Sequence, residues 1–212
     1  MPDSPIRKLA PFANAAKAAG RHVIHLNIGQ PDIASPQPAL DAMRNLEQSV
    51  IEYSPSEGFA SYRDGLAHYY ASVGVQVSAD EILVTTGGSE ALVFAFMSCL
   101  NPGDEVIIPE PFYANYNGFA TMAGVRIVPV TARIEDGFAL PPMDDFAAAI
   151  TERTKAILVC NPGNPTGKVY ADDAMQALAS LVKENDLFLF ADEVYREFTY
   201  EGETPRSVLT FP

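Results

Sequence analysis

Three groups of polar residues stand where apolar runs end, and their types would let them act on one small ligand. Asn161-Pro162-Gly163-Asn164-Pro165-Thr166-Gly167 follows the run Ala156–Cys160, and Asp192-Glu193-Val194-Tyr195 closes the run Leu187–Ala191. Both runs are short, apolar and bounded by turn residues, as buried parallel strands are. Polar groups at the carboxyl ends of such strands face the crevice in which open α/β sheets bind ligands. One strand end offers the Asn164 amide, the other the Asp192 carboxylate and the Tyr195 phenol. The third group, Thr85-Thr86-Gly87-Gly88-Ser89-Glu90, joins a strand-like run to a helical one. Gly87 and Gly88 let the backbone approach a ligand closely, the helix N-terminus offers free N–H groups to an anion, and Ser89 adds a hydroxyl. Taken alone, each group has a plainer use. Ser89 serves equally as a helix N-cap, Asp192 as another cap, and Tyr195 as a core aromatic.

The elements that must position these groups alternate along the chain. Strand candidates are Ile82–Thr85, Glu105–Ile108, Val125–Val130, Ala156–Cys160 and Leu187–Ala191. Helical periodicity appears at Ser89–Leu100, Ala114–Ala123, Asp144–Ile150 and Asp172–Glu184, and before them at Pro11–Ala19, Ala39–Ser49 and Gly58–Ser72. The alternation predicts an α/β fold, a mostly parallel sheet with helices on both faces. Ala91–Met97 is apolar all round, which predicts a helix that needs burial on every side, with part of that cover expected to be absent from this chain. Residues 1–37 are rich in Pro and small residues, with the extended piece Leu26–Asp32 ending in turn chemistry. There is no internal repeat and no low-complexity linker.

Composition narrows the function classes. A formal charge of −13 on 212 residues argues against nucleic acid, whose phosphates demand Lys/Arg patches, and against an anionic membrane surface. The longest apolar stretch, Ala91–Leu100, is half the roughly twenty residues a membrane span needs. Pro11 and Asn14 interrupt the stretch after Arg7 and Lys8, so no signal peptide is expected. Cys99 and Cys160 lie in apolar stretches without Cys-x-x-Cys spacing and read as reduced core cysteines, which points to the cytoplasm. His22, His25 and His68 lack metal-ligand spacing, and no metal site is expected.

Asn-Pro-x-Asn-Pro-Thr-Gly followed by Asp-Glu-Val-Tyr resembles the cofactor site of class I/II pyridoxal-phosphate-dependent aminotransferases, which are aspartate aminotransferase-like enzymes of fold type I. The resemblance runs in family order from about Asn27 to Tyr195. It implies pyridoxal 5′-phosphate as cofactor, with Asp192 beside the ring nitrogen and Tyr195 and Asn164 on the phenolic oxygen. Gly87, Gly88 and Ser89 would form the phosphate loop. In Glu110-Pro111-Phe112-Tyr113 an aromatic stacks on the ring, Tyr113 matching better than Phe112. Tyr53 resembles the tyrosine that reaches the partner subunit's phosphate, which implies a homodimer with shared active sites. Gly29, beside Asn164, matches the segment lining the substrate carboxylate, although a plain glycine turn remains open there.

The substrates implied are an amino acid and a 2-oxo acid. Residues 1–37 would be an N-terminal arm and part of the small domain, and residues 38–212 the cofactor-binding large domain. The Schiff-base lysine and the carboxylate-binding arginine are expected beyond Pro212, since Lys8, Lys17, Lys155, Lys168 and Lys183 lack the family context. The large domain therefore reads as incomplete and the chain as an inactive fragment. A carbon–sulfur lyase or an aminocyclopropane-carboxylate synthase-like enzyme shares these motifs. So does a non-enzymatic pyridoxal-phosphate-binding module.

Overall fold

The structure, a computed structural model, describes residues 8–26, 29, 31–200, 202 and 205–211. Three helices come first: α1 (Ala10–Ala18), α2 (Gln37–Arg44) and α3 (Ala60–Ser72). The alternating part follows as α4 (Gly88–Cys99), β1 (Glu105–Glu110), α5 (Tyr116–Ala123), β2 (Arg126–Thr131), α6 (Met143–Ala149), β3 (Thr154–Cys160), α7 (Asp172–Glu184) and β4 (Phe188–Asp192). The strands form a four-stranded sheet in the order β2-β1-β3-β4, parallel throughout.

The period-2 alternation of side chains sorts each central strand between two cores. Val106 and Ile108 of β1, with Ala156 and Leu158 of β3, pack under α4 and α5 against Leu92, Phe96, Tyr116 and Ala120. Ile107, Ile157 and Val159 point the other way, to Phe146 of α6 and Met175, Leu178 and Val182 of α7. Burial on both faces explains why β1 and β3 read as unbroken apolar runs. Each buried Val, Leu, Ile, Phe or Met among them contributes about 1.5–3 kcal/mol on leaving water.

Local chemistry ends the elements where the fold needs it. Gly124 sits at φ 71° after α5. There the Val125 N–H reaches the Ala120 carbonyl and the Gly124 N–H that of Thr121, which closes the helix with a left-handed glycine. At the amino end of the sheet Glu105 is fully buried. Its carboxylate takes hydrogen bonds from Arg126, from Arg153 Nε at 2.8 Å and from Thr151 Oγ1 at 2.8 Å. These donors hold the Glu105 carboxyl at about 2, Arg126 contributing most against the opposing effect of burial.

Three expectations need correction, and one helix lacks part of its cover. Ile82–Thr85 is no strand: it follows a 3-10 turn at Ala79–Glu81, and its backbone contact is Val84 N–H to the Glu57 carbonyl, so no described strand offers it an edge. The helix expected over Ala39–Ser49 closes at Arg44, where the Asn45 N–H caps onto the Asp41 carbonyl. Helix α4 is not buried on every side. Leu92 and Phe96 meet the sheet, while Phe94 and Met97 on the other side are exposed because no described element packs over them. Ser89 does not cap α4 either: Gly87 occupies that position and Ser89 lies in the first turn. Asn27, Ile28, Gln30 and Pro212 fall outside the described residues.

Candidate active site at the carboxyl ends of β3 and β4

The two strand-end motifs form one structure. Cys160 pairs with Asp192 in the β3–β4 register, and the next hydrogen bond runs from the Asn161 N–H to the Asp192 carbonyl at 3.0 Å. Within the Asn-Pro-Gly-Asn-Pro-Thr-Gly turn most polar groups are spent on the turn itself. Buried Asn161 accepts the Tyr170 N–H through Oδ1 at 3.0 Å, and Thr166 Oγ1 accepts the Lys168 N–H at 3.2 Å. Gly163 is packed so closely that a Cβ there would lie 2.9 Å from Thr166 Oγ1. Asn164 is the amide left free to face outward, and its Nδ2 donates to the Tyr195 hydroxyl at 3.3 Å.

Asp192 is held from two sides. Its Oδ1 accepts the Val194 N–H at 3.2 Å, which shapes the turn that presents Tyr195. Its Oδ2 accepts the hydroxyl of Tyr116 at 2.8 Å. Tyr116, at the start of α5, is fully buried, and burial first and the neighbouring Cys160 and Asp192 next push its hydroxyl above the usual tyrosine range. It therefore remains a proton donor to Asp192 throughout the working range of pH. The Cys160 thiol is likewise pushed up to about 11, by burial before the charge of Asp192, and stays a neutral wall of the site. Tyr116 and Cys160 were not among the residues expected here.

A cavity of about 180 Å³ is lined by Ser89, Tyr113, Asn164, Asp192 and Tyr195, with Tyr116, Cys160 and Val194 behind them. It shares Gly88, Leu92, Asp192 and Val194 with a second cavity of about 540 Å³ that runs between α4 and β4 toward Tyr69, Tyr70 and Arg196. Asp192 thus sits where the two spaces meet, and the larger one lies within the ~300–1,000 Å³ usual for small-molecule sites. Of the two aromatics after β1, Tyr113 lines the cleft, whereas Phe112 stacks on Tyr116 at 6.0 Å.

The Gly-Gly segment opens onto the same cleft. Gly87 has φ 82°, and a Cβ at Gly87 or Gly88 would meet nothing within 4 Å, so the approach to the helix is clear. The first helical bond of α4 is Ala91 N–H to the Gly87 carbonyl. The N–H groups of Gly88, Ser89 and Glu90 therefore have no partner within the helix and suit an anion. The arrangement brings together Gly87, Gly88, Ser89, Tyr113, Asn164, Asp192 and Tyr195. Two other expected residues stand apart from it. Tyr53 is fully exposed between α2 and α3, and Gly29 is exposed, with no atom of the described residues within 4 Å of where a Cβ would lie.

The chain as a whole is similar to known proteins. Residues 21–211 match the family described as aminotransferase class I and II. The chain is 39% identical over 186 residues to the aspartate/prephenate aminotransferase of Thermus thermophilus, covering 87% of this chain and 48% of that protein. It is 35% identical over 198 residues to the aspartate aminotransferase of Bacillus subtilis, with coverage of 92% and 50%. The fold superposes on an alanine aminotransferase from Pyrococcus furiosus with a TM-score of 0.91 at 33% identity, covering 97% of this chain and 53% of that one. The chain spans about half the length of the curated relatives it matches. With its parallel sheet, its strand-end motifs and a family match across most of its length, this chain belongs to the class I and II aminotransferases.

Proposed function

We propose that this chain forms the cofactor-binding part of a pyridoxal-phosphate-dependent aminotransferase acting on an amino acid and a 2-oxo acid. The observation that carries the reading is the meeting of an anion-ready helix N-terminus, a carboxylate and an amide–phenol pair around one cleft. Pyridoxal phosphate fits that donor set, and when bound it supplies an electron sink for electrons released at a substrate α-carbon. Gly87, Gly88 and Ser89 would hold its phosphate. Asp192, kept in place by Tyr116 and the Val194 N–H, would favour a proton on its ring nitrogen. Asn164 and Tyr195 would bond its phenolic oxygen, and Tyr113 would cover the ring.

Tyr53 and Gly29 belong to this reading as residues brought to the cleft by assembly and by substrate. The exposed ring of Tyr53 is free to serve a partner subunit's phosphate site in a two-fold homodimer, and Gly29 to border the substrate carboxylate. The buried Cys160 and the unpaired Cys99 support a reducing compartment, the cytoplasm. Among the described residues no helix is long and apolar enough to cross a membrane.

The test uses the protein carried to the length of its relatives, with pyridoxal phosphate, an α-¹⁵N amino acid and an unlabelled 2-oxo acid. Appearance of ¹⁵N on the carbon skeleton of the second substrate is the expected result. Ammonium release or carbon–sulfur cleavage instead would replace transamination by lyase chemistry. Retention of cofactor with neither outcome would leave a binding module.

A further inference from the structure

We propose that Glu90 is a positioning residue of the anion cradle, preforming the loop before α4 through its hydrogen bond while its charge weakens the anion bound there. The inference rests on the phosphate-loop reading above. Glu90 lies in the first turn of α4, and its Oε2 reaches back to accept the Thr86 N–H at 2.6 Å. Two more bonds complete the loop: the Gly87 N–H to the Thr85 carbonyl at 2.8 Å, and Thr85 Oγ1 to the Gly87 carbonyl at 3.0 Å. Together they fix Gly87 in its positive-φ conformation and leave the N–H groups of Gly88 and Ser89 beside the cleft.

A carboxylate in the first turn stabilises a helix, because the N-terminus carries partial positive charge. The same charge attracts a phosphate, so an arriving anion shares the helix end with Glu90. No Lys or Arg lines the cavity bordered by Ser89 and Asn164, so no described cation on that wall offsets the carboxylate. Glu90 therefore acts in two opposed ways. The hydrogen bond makes the cradle ready, and the charge keeps its grip moderate.

Glu90→Gln separates the two, because the amide oxygen can still accept the Thr86 N–H without the charge. Calorimetric titration of pyridoxal phosphate, with unphosphorylated pyridoxal as the control, should show roughly three- to ten-fold tighter binding of the phosphate ester alone. The gain should shrink as salt is raised to about 1 M, where screening acts over about 3 Å. Glu90→Ala, which loses the hydrogen bond as well, should bind pyridoxal phosphate more weakly than Glu90→Gln, so the glutamine rescues the alanine defect. Unchanged or weaker binding by Glu90→Gln, an equal gain with pyridoxal, or Ala matching Gln would overturn the inference. Gly88→Val is the separate control on the loop. If it leaves pyridoxal-phosphate affinity unaltered, the phosphate-loop reading fails and this inference with it. If it weakens binding while Glu90→Gln does nothing, only the inference fails.

Discussion

Tyr116→Phe isolates the contact that connects α5 to the candidate active site. The substitution removes one oxygen and leaves the ring, which is fully buried beside Phe112 and Tyr113, so the apolar packing is retained. What is lost is a 2.8 Å hydrogen bond from a phenol to the Asp192 carboxylate. Hydrogen bonds to charged groups contribute about 1.5–3 kcal/mol, twice the neutral value. For a domain of this length that corresponds to a melting-temperature drop of roughly 3–12 °C. Urea unfolding followed by circular dichroism measures it, and a cycle with Asp192→Ala apportions it. The double variant should lose clearly less than the sum of the single losses, because either change alone abolishes the same contact. If Tyr116→Phe costs under about 0.5 kcal/mol and the cycle shows no coupling, the hydroxyl does not organise Asp192.

Four further outcomes are expected. The Glu105 carboxyl lies at about 2 in the folded chain against an ordinary 4.5, so its contribution to stability is complete above about pH 4.5 and is lost as pH falls toward 2. Glu105→Gln should flatten that acid limb of the stability profile, and an unchanged limb would assign acid unfolding elsewhere. In the protein at the length of its relatives, Asp192→Ala should cut transamination at least ten-fold while cofactor absorbance persists. Loss of a close opposite charge is worth ~1–3 pKa units, or ~1.4–4 kcal/mol, and near-normal turnover would exclude Asp192 as the ring partner. In the same protein, mixing Tyr53→Phe with Asp192→Ala subunits should raise activity above the mean of the parents. No gain after verified subunit exchange would place Tyr53 outside the partner's site. In the chain of 212 residues, none of Lys8, Lys17, Lys155, Lys168 and Lys183 lines the cleft, so borohydride reduction with pyridoxal phosphate should label them weakly and diffusely. A single stoichiometric adduct would contradict this.

Legibility in the sequence followed the physics of burial. Strands β1 and β3, apolar on both faces, and α7, amphipathic with Met175, Leu178 and Val182 on one face, could be read from local pattern. Ile82–Thr85 has the same apolar run, yet a run carries no information about whether a neighbouring edge is available. The stripe in α4 was hidden because its exposed side, Phe94 and Met97, is as apolar as its buried side. Asp192, Asn164 and Tyr195 were visible as polar residues after apolar runs. Tyr116 was not, because its partner Asp192 lies 76 residues away and a buried tyrosine in a helix looks like core. One signal did exist. Tyr116 follows Tyr113 by three residues, a spacing that places both side chains near one another once a helix begins there.

The strand-end motifs also explain how so short a segment sets a site. Cys160 opposite Asp192 fixes the register of two parallel strands, and the Asn161 N–H extends that ladder by one bond before the chains diverge. A one-residue slip would turn every side chain of β4 to the opposite face, exchanging the two cores and removing Asp192 from Tyr116. The apolar packing of β3 and β4 and the polar geometry of the cleft therefore select the same register. Asn161, Gly163 and Thr166 are consumed in holding the turn, so that Asn164 alone reaches Tyr195. Precision at the cleft is thus inherited from the sheet, and the loops need only small, internally satisfied turns to deliver it.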